Sequence, residues 1–92
     1  MSIWTSKAAV SAAVIGNAQY QITVSAHIHH PGTLVMRLVD NNSRAALIDL
    51  RDLHTTDIGE ARREALYVAA EYFQRARNNM VVALEDIEAA LA

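Results

Sequence analysis

The sequence contains no cysteine, one proline, three glycines and five aromatic residues. The absence of cysteine excludes disulfide bonds, thiolate catalysis and cysteine-based zinc sites. The glycines stand apart from one another, at positions 16, 32 and 59, so the sequence has no glycine-rich loop of the kind that binds phosphate. A nucleophile motif of the Gly-x-Ser-x-Gly type is also absent. We therefore expect that the protein is not an enzyme and uses no cofactor.

Charge of either sign is modest, and hydrophobic runs are short. Eight basic and ten acidic residues give a net charge of −2, whereas nucleic-acid-binding domains usually carry a clear basic excess. No apolar run approaches the roughly 20 residues that a membrane span needs. The first 15 residues lack the apolar segment and cleavage site of a secretory signal. These features predict a cytoplasmic protein that does not bind a membrane.

The remaining composition is typical of a folded domain. The 92 residues are 52% hydrophobic and 20% charged, so we expect residues 1–92 to form a single domain. Alanine and valine supply much of the apolar fraction. Small side chains bury little area, and each Å² is worth only about 25 cal/mol. A thin core in a short chain favours self-association as a further source of stability.

Alternating apolar and polar residues predict an antiparallel sheet in residues 1–53. The predicted strands are residues 20–28, 33–39 and 45–50. We expect Pro31-Gly32 to end the first of them, because proline lacks a ladder donor and glycine permits a positive φ. Asp40 to Ser43 has the composition of a turn. The short links between strands indicate a meander.

The segment KAAVSAAVIG, residues 7–16, is ambiguous between helix and strand. Alanine favours a helix that ends at Gly16. A strand followed by a Gly16-Asn17 hairpin turn into the next strand is the alternative, and it is the one we favour. The predicted meander therefore has three to four strands.

From Asp57 onward the apolar residues recur in steps of three and four, which predicts an amphipathic helix over residues 57–91. Asp57 is a suitable N-cap, and Glu60 has the spacing of a capping-box partner. The apolar positions are Ile58, Ala61, Ala65, Ala69, Tyr72, Ala76, Met80, Ala83, Ile87 and Leu91.

The Asn78-Asn79 pair leaves two interpretations of this segment. The fold class is α+β in both: an antiparallel meander followed by one long C-terminal helix, or by a helical hairpin broken near Asn78-Asn79. We favour one helix, because the apolar stripe keeps its phase through the pair. Such a helix would measure about 50 Å, while a globule of this size has a radius of gyration near 12 Å. The helix must then extend beyond its own sheet, which predicts a homodimer.

These features favour a small protein-binding regulator or inhibitor, of the kind that phages and mobile elements encode, acting as a homodimer on another protein. Aromatic residues beside arginine are enriched at binding hot spots, so the predicted partner-binding residues are Tyr72, Phe73, Arg75 and Arg77. The alternative is a nucleic-acid-binding module that uses Arg62, Arg63, Arg75 and Arg77 on an outward helix face.

Three histidines lie in the stretch HIHHPG, residues 27–32. On a strand, His27 and His29 would share a face, and with His30 they could bind a metal ion or respond to pH. No carboxylate is tied to them by spacing, so we favour solvent-exposed histidines at a strand end. A metal site or pH response is the third functional hypothesis.

Overall fold

The computed structural model describes residues 3–27 and 29–92, with His30 and Pro31 described by their backbone alone. Within that part of the chain, five strands precede one long helix. Each strand pairs antiparallel with the next, in the order β1-β2-β3-β4-β5, which confirms the predicted α+β meander followed by a helix. The elements are β1 (Trp4–Lys7), β2 (Val10–Ile15), β3 (Tyr20–His27), β4 (His30–Asp40), β5 (Ala46–Asp52) and α1 (Ile58–Leu91).

The N-terminal segment is a strand, as favoured, but it belongs to a hairpin that the sequence did not reveal. β2 is preceded by β1, with Lys7 paired to Val10. The two turn residues, Ala8 and Ala9, have φ values of 49° and 62°. Two-residue hairpin turns with both φ angles positive usually contain Asn or Gly. An Ala-Ala pair gives no such signal, so the sheet has five strands where three to four were predicted.

Pro31 and Gly32 lie inside β4 and do not separate two strands, so the prediction that the second strand begins at Thr33 is wrong. Ala26 pairs with Leu34 and His27 pairs with His30, which leaves three extra residues on β4. Gly32 has a φ of 87°. A bulge tolerates both the missing proline donor and this φ. The predicted last residue of the first strand, Ile28, lies outside the described residues.

One face of the sheet packs against the first half of α1. Its central side chains are fully buried, as the alternating pattern predicted: Ile22, Val24, Met36 and Leu38. The facing helix positions are also buried, and three of the four are alanines: Ala61, Ala65, Val68 and Ala69. Small side chains at the contact allow the helix axis to lie close to its neighbour. The core is therefore thin, and it ends where the helix leaves the sheet.

The helix begins as predicted. Asp57 is the N-cap, and its carboxylate accepts a hydrogen bond from the Glu60 amide at 2.8 Å. The Glu60 carboxylate accepts a hydrogen bond from the Thr55 hydroxyl at 3.0 Å, and that hydroxyl oxygen accepts one from the Asp57 amide at 3.2 Å. Thr55 therefore connects the two halves of the predicted capping box.

The helix continues through Asn78 and Asn79 without a break, so the helical-hairpin interpretation is wrong. At 1.5 Å per residue, 34 residues span about 50 Å. The molecule measures 55 × 24 × 24 Å, and its radius of gyration is 15.9 Å, against about 12 Å for a globular chain of this length. The C-terminal part of the helix therefore extends well beyond the sheet.

Candidate interaction surface

The change from buried to exposed occurs in the middle of α1. Phe73 packs its ring on Tyr20 with a centroid distance of 4.7 Å, and Tyr72 contacts Phe73 at 5.6 Å. Both side chains are partly buried against the core. From Arg77 to the end of the helix, every residue is exposed. We call residues 77–91 the overhang, and the sheet together with residues 58–76 the body.

The overhang carries four large apolar side chains on one side, and these four define the apolar ridge. Their exposed fractions are 70% for Met80, 56% for Leu84, 57% for Ile87 and 82% for Leu91. At 3.6 residues per turn, each points within about 40° of the direction of Phe73. The ridge therefore continues from Phe73, at the edge of the face that the sheet covers. It points roughly 80° around the helix from the centre of the buried positions 61, 65, 68 and 69.

The charges of the overhang are separated along its length. Arg77 lies next to the body, whereas Glu85, Asp86 and Glu88 lie near the C-terminus. Among the described residues, none of these four forms an ion pair. The last turn contains no basic residue, although the negative end of the helix macrodipole favours cations. The free end of the helix is thus electrostatically unfavourable, and a positive charge placed beside it would stabilise it.

The four predicted partner-binding residues are neighbours in sequence but differ in surroundings. Phe73 contributes to the body through Tyr20, and Tyr72 is half-buried beside it. Arg75 is exposed and pairs with Glu71 at 2.6 Å. Arg77 points about 160° away from Arg75 around the helix. The structure therefore places Arg77 beside the apolar ridge and Arg75 on the opposite side.

The four arginines of the nucleic-acid hypothesis do not form one surface. Arg62 faces the sheet, where its guanidinium donates hydrogen bonds to Ser6 at 2.8 Å and to Ser11 at 2.9 and 3.1 Å. It also lies 5.8 Å from the centre of the Trp4 ring. The expectation that Arg62 faces outward with Arg63 is wrong, because the hydroxyls of β1 and β2 hold it.

Arg63 is exposed and lies beside Tyr67, with its guanidinium carbon 5.9 Å from the ring centre. A hydrogen bond to Tyr67 raises the pKa of Arg63. Arg63 and Arg77 point within about 40° of each other but lie about 21 Å apart along the helix, and Arg75 points away from both. That distribution differs from the clustered basic face typical of nucleic-acid binding.

The histidines lie at the end of the β3–β4 hairpin. The rings of His27 and His29 are 5.9 Å apart, and the His29 amide donates a hydrogen bond to Nδ1 of His27 at 3.1 Å. They line a pocket of about 310 Å³ with Thr23, Ser25 and Arg37, on the sheet face that points away from α1. The side chain of His30 lies outside the described part of the chain.

No group of three or more metal-ligating side chains occurs among the described residues. The predicted pair His27 and His29 is brought together, but the backbone amide of His29 already uses Nδ1 of His27. A histidine that accepts through one nitrogen retains only the other for a metal ion. Among the described residues, the structure therefore places two histidines, but no third ligand, at the predicted metal site.

In the sequence, three of the ridge residues belong to the predicted helical stripe, and Leu84 flanks it. Met80, Leu84, Ile87 and Leu91 were not among the predicted binding residues, although the length argument indicated that the stripe extends beyond the sheet. The contact of Arg62 with Ser11 joins residues 51 positions apart, and no local sequence pattern predicts such a contact.

Within the described residues, no helix combines the length and the apolar character that crossing a membrane requires. Comparison of the chain with known protein families, with curated proteins and with solved structures finds no match.

Proposed function

We propose that the protein acts by binding proteins, without catalysis, and that it works as a homodimer formed through the overhang. One observation supports this most strongly. The apolar ridge presents four large apolar side chains to solvent on a helix segment that its own sheet does not reach. Exposed contiguous apolar surface of this kind marks interaction sites.

The size of the ridge agrees with a modest interface. Covering four such side chains on each of two chains would remove on the order of 1,000 Å² from water, close to the lower end for specific interfaces at about 1,200 Å². The proposed dimer is therefore in exchange with monomer, and its population depends on concentration.

A second copy is the partner that best fits this surface. Each chain carries an Arg at one end of the overhang and three carboxylates at the other, so two copies can neutralise each other. A dimer can also use the same ridge on both chains, as two-fold interfaces do. In this proposal, the regulated or inhibited protein contacts Tyr72 and Arg75, at the junction of body and overhang.

Substitution of the ridge tests the proposal. Leu84→Glu places a charge on the ridge, and we expect its dissociation constant to rise by at least 100-fold in sedimentation velocity, because an unpaired charge cannot be buried. Val82→Glu is the matched control. Val82 is exposed and lies on the opposite side of the helix from the ridge, so its dimer should persist.

Both variants should keep the thermal unfolding midpoint of the body, because neither residue contacts the sheet. A monomeric wild-type protein, or equal weakening by Leu84→Glu and Val82→Glu, would contradict the proposed function.

A further inference from the structure

We propose that the two overhangs pack antiparallel, so that Arg77 of each chain pairs with the partner's Glu88. This inference rests on the proposed homodimer and specifies its geometry. It also assigns to Arg77 and Glu88 the task of fixing the orientation of the two helices. Shape, the positions of the charges and the helix end each favour this arrangement.

The shape of one chain disfavours a parallel pair. The apolar ridge points in nearly the same direction as Phe73, which packs on Tyr20 of the sheet. A second helix laid parallel along the ridge would therefore meet the Tyr20 ring where the ridge joins the body. In an antiparallel pair, the partner's body lies beyond the C-terminus of this chain, and each helix ends level with Phe73 of the other.

The positions of Arg77 and Glu88 match the symmetry of an antiparallel pair. At 3.6 residues per turn, the two side chains point within about 20° of each other, on the same flank of the ridge. A two-fold axis perpendicular to the helices brings the same flank of each helix together, whereas a parallel two-fold pair brings opposite flanks together. Arg77 then faces the partner's Glu88, and symmetry repeats the contact.

The same arrangement stabilises the helix end. Glu85, Asp86 and Glu88 lie near the negative end of the helix macrodipole, and the last turn has no cation of its own. An antiparallel partner places its Arg77 there, which is the charge that the dipole favours. A parallel partner would place three carboxylates beside three carboxylates, and like charges at close range destabilise a complex.

Introduced cysteines distinguish the two orientations, and the chain has no native cysteine to interfere. The proposed pairing places the two-fold axis between Val82 and Ala83. Ala83→Cys then lies at the same level as its own copy. The two Cα atoms are roughly 7–8 Å apart when the helix axes are about 8–10 Å apart, a separation that a short bismaleimide crosslinker spans. Ala90→Cys is the matched control, since it makes the same substitution one heptad later, more than roughly 20 Å from its copy.

Each variant is first examined under reducing conditions by sedimentation, which must show a dimer. It is then freed of reductant and treated with the bismaleimide crosslinker. We expect Ala83→Cys to form a covalent dimer in high yield and Ala90→Cys to form almost none. Equal crosslinking of both variants would overturn the antiparallel geometry while the homodimer stands. A monomer under reducing conditions would overturn the homodimer itself, so the two failures are distinguishable.

Charge exchange tests the assigned pair directly. Arg77→Glu and Glu88→Arg should each weaken the dimer by roughly tenfold, because two symmetric contacts are lost and like charges replace them. The double variant should recover most of the affinity. Arg75→Glu makes the same charge change on the side away from the ridge, so the dimer should change less than about twofold. Failure of the double variant to recover affinity would overturn the pairing.

Discussion

Each half of α1 carries an apolar face, and the two faces differ in what covers them. In the first half, the buried positions are mostly alanine, which lets the helix lie close to the sheet. In the overhang, the stripe is built from methionine, leucine and isoleucine, and all of it is exposed. Every methionine, leucine and isoleucine of the helix is thus exposed, most of them in the overhang, whereas Tyr72 and Phe73 are partly buried against the core. Exposed apolar side chains in one row are expected where a partner binds, and they add little to the stability of a monomer.

The two regions also differ in what stabilises them. The body buries its central apolar residues within one chain, so its folding should not require a partner. The overhang is only 15 residues long, and isolated helices of about that length are marginal in water. Its helical state therefore depends on the continuation of the packed half, and in the proposed dimer a second copy stabilises it further.

The largest expected effect comes from substituting the same residue type in the two regions. Leu38 is fully buried in the sheet, whereas Leu84 is more than half exposed. Leu38→Ala should lower the free energy of unfolding by about 2–5 kcal/mol, because it removes buried methyl groups and leaves a cavity. Leu84→Ala should cost under about 1 kcal/mol at low protein concentration. Denaturant titration measures the free energy of unfolding of both variants, and equal losses would contradict the division of the chain into body and overhang.

An effect of intermediate size should follow from breaking the helix where the body ends. Proline inside a helix removes a hydrogen bond and clashes with the preceding turn, at a cost of about 3 kcal/mol. Asn79→Pro should therefore reduce the helical signal in circular dichroism and abolish self-association. The unfolding midpoint of the body should stay close to that of the control, Asn79→Ala. Cooperative loss of the sheet in Asn79→Pro would show that the two regions fold as one unit.

The smallest expected effect concerns the start of the packed half. Asp57→Ala removes the side-chain acceptor for the Glu60 amide and should destabilise the body by about 1 kcal/mol. Asp57→Asn retains an acceptor and should lose less. Chemical denaturation of the two variants provides the comparison, and an unchanged midpoint in Asp57→Ala would contradict the capping role.

Much of the fold could be predicted from local patterns. The alternation around Ile22, Val24, Met36 and Leu38 identified the buried sheet face, because a half-buried strand has a side-chain period of two. The N-cap at Asp57 followed from side-chain chemistry and spacing. The continuous helix followed from a stripe that keeps its phase past Asn78.

The features that the sequence did not predict share one physical cause: they depend on pairing and contacts between separate segments of the chain. The Ala8-Ala9 turn adopts positive φ angles that alanine does not favour, so pairing of β1 with β2 must stabilise it. The Pro31-Gly32 bulge is an irregularity within a strand, and the sequence showed only that regular pairing ends there. Arg62 was assigned to the outer face because the local pattern does not show its partners. These are Ser11 and Ser6, which lie 51 and 56 positions away in β2 and β1.

The most direct test of the account is the mass of the wild-type chain in solution as its concentration is raised. Sedimentation equilibrium or light scattering from roughly 1 to 200 μM covers the range in which an interface of this size should assemble. We predict a weight-average mass that rises from the 10.1 kDa of one chain toward twice that value. A mass that stays at 10.1 kDa at every concentration would contradict the claim that a second copy covers the apolar ridge.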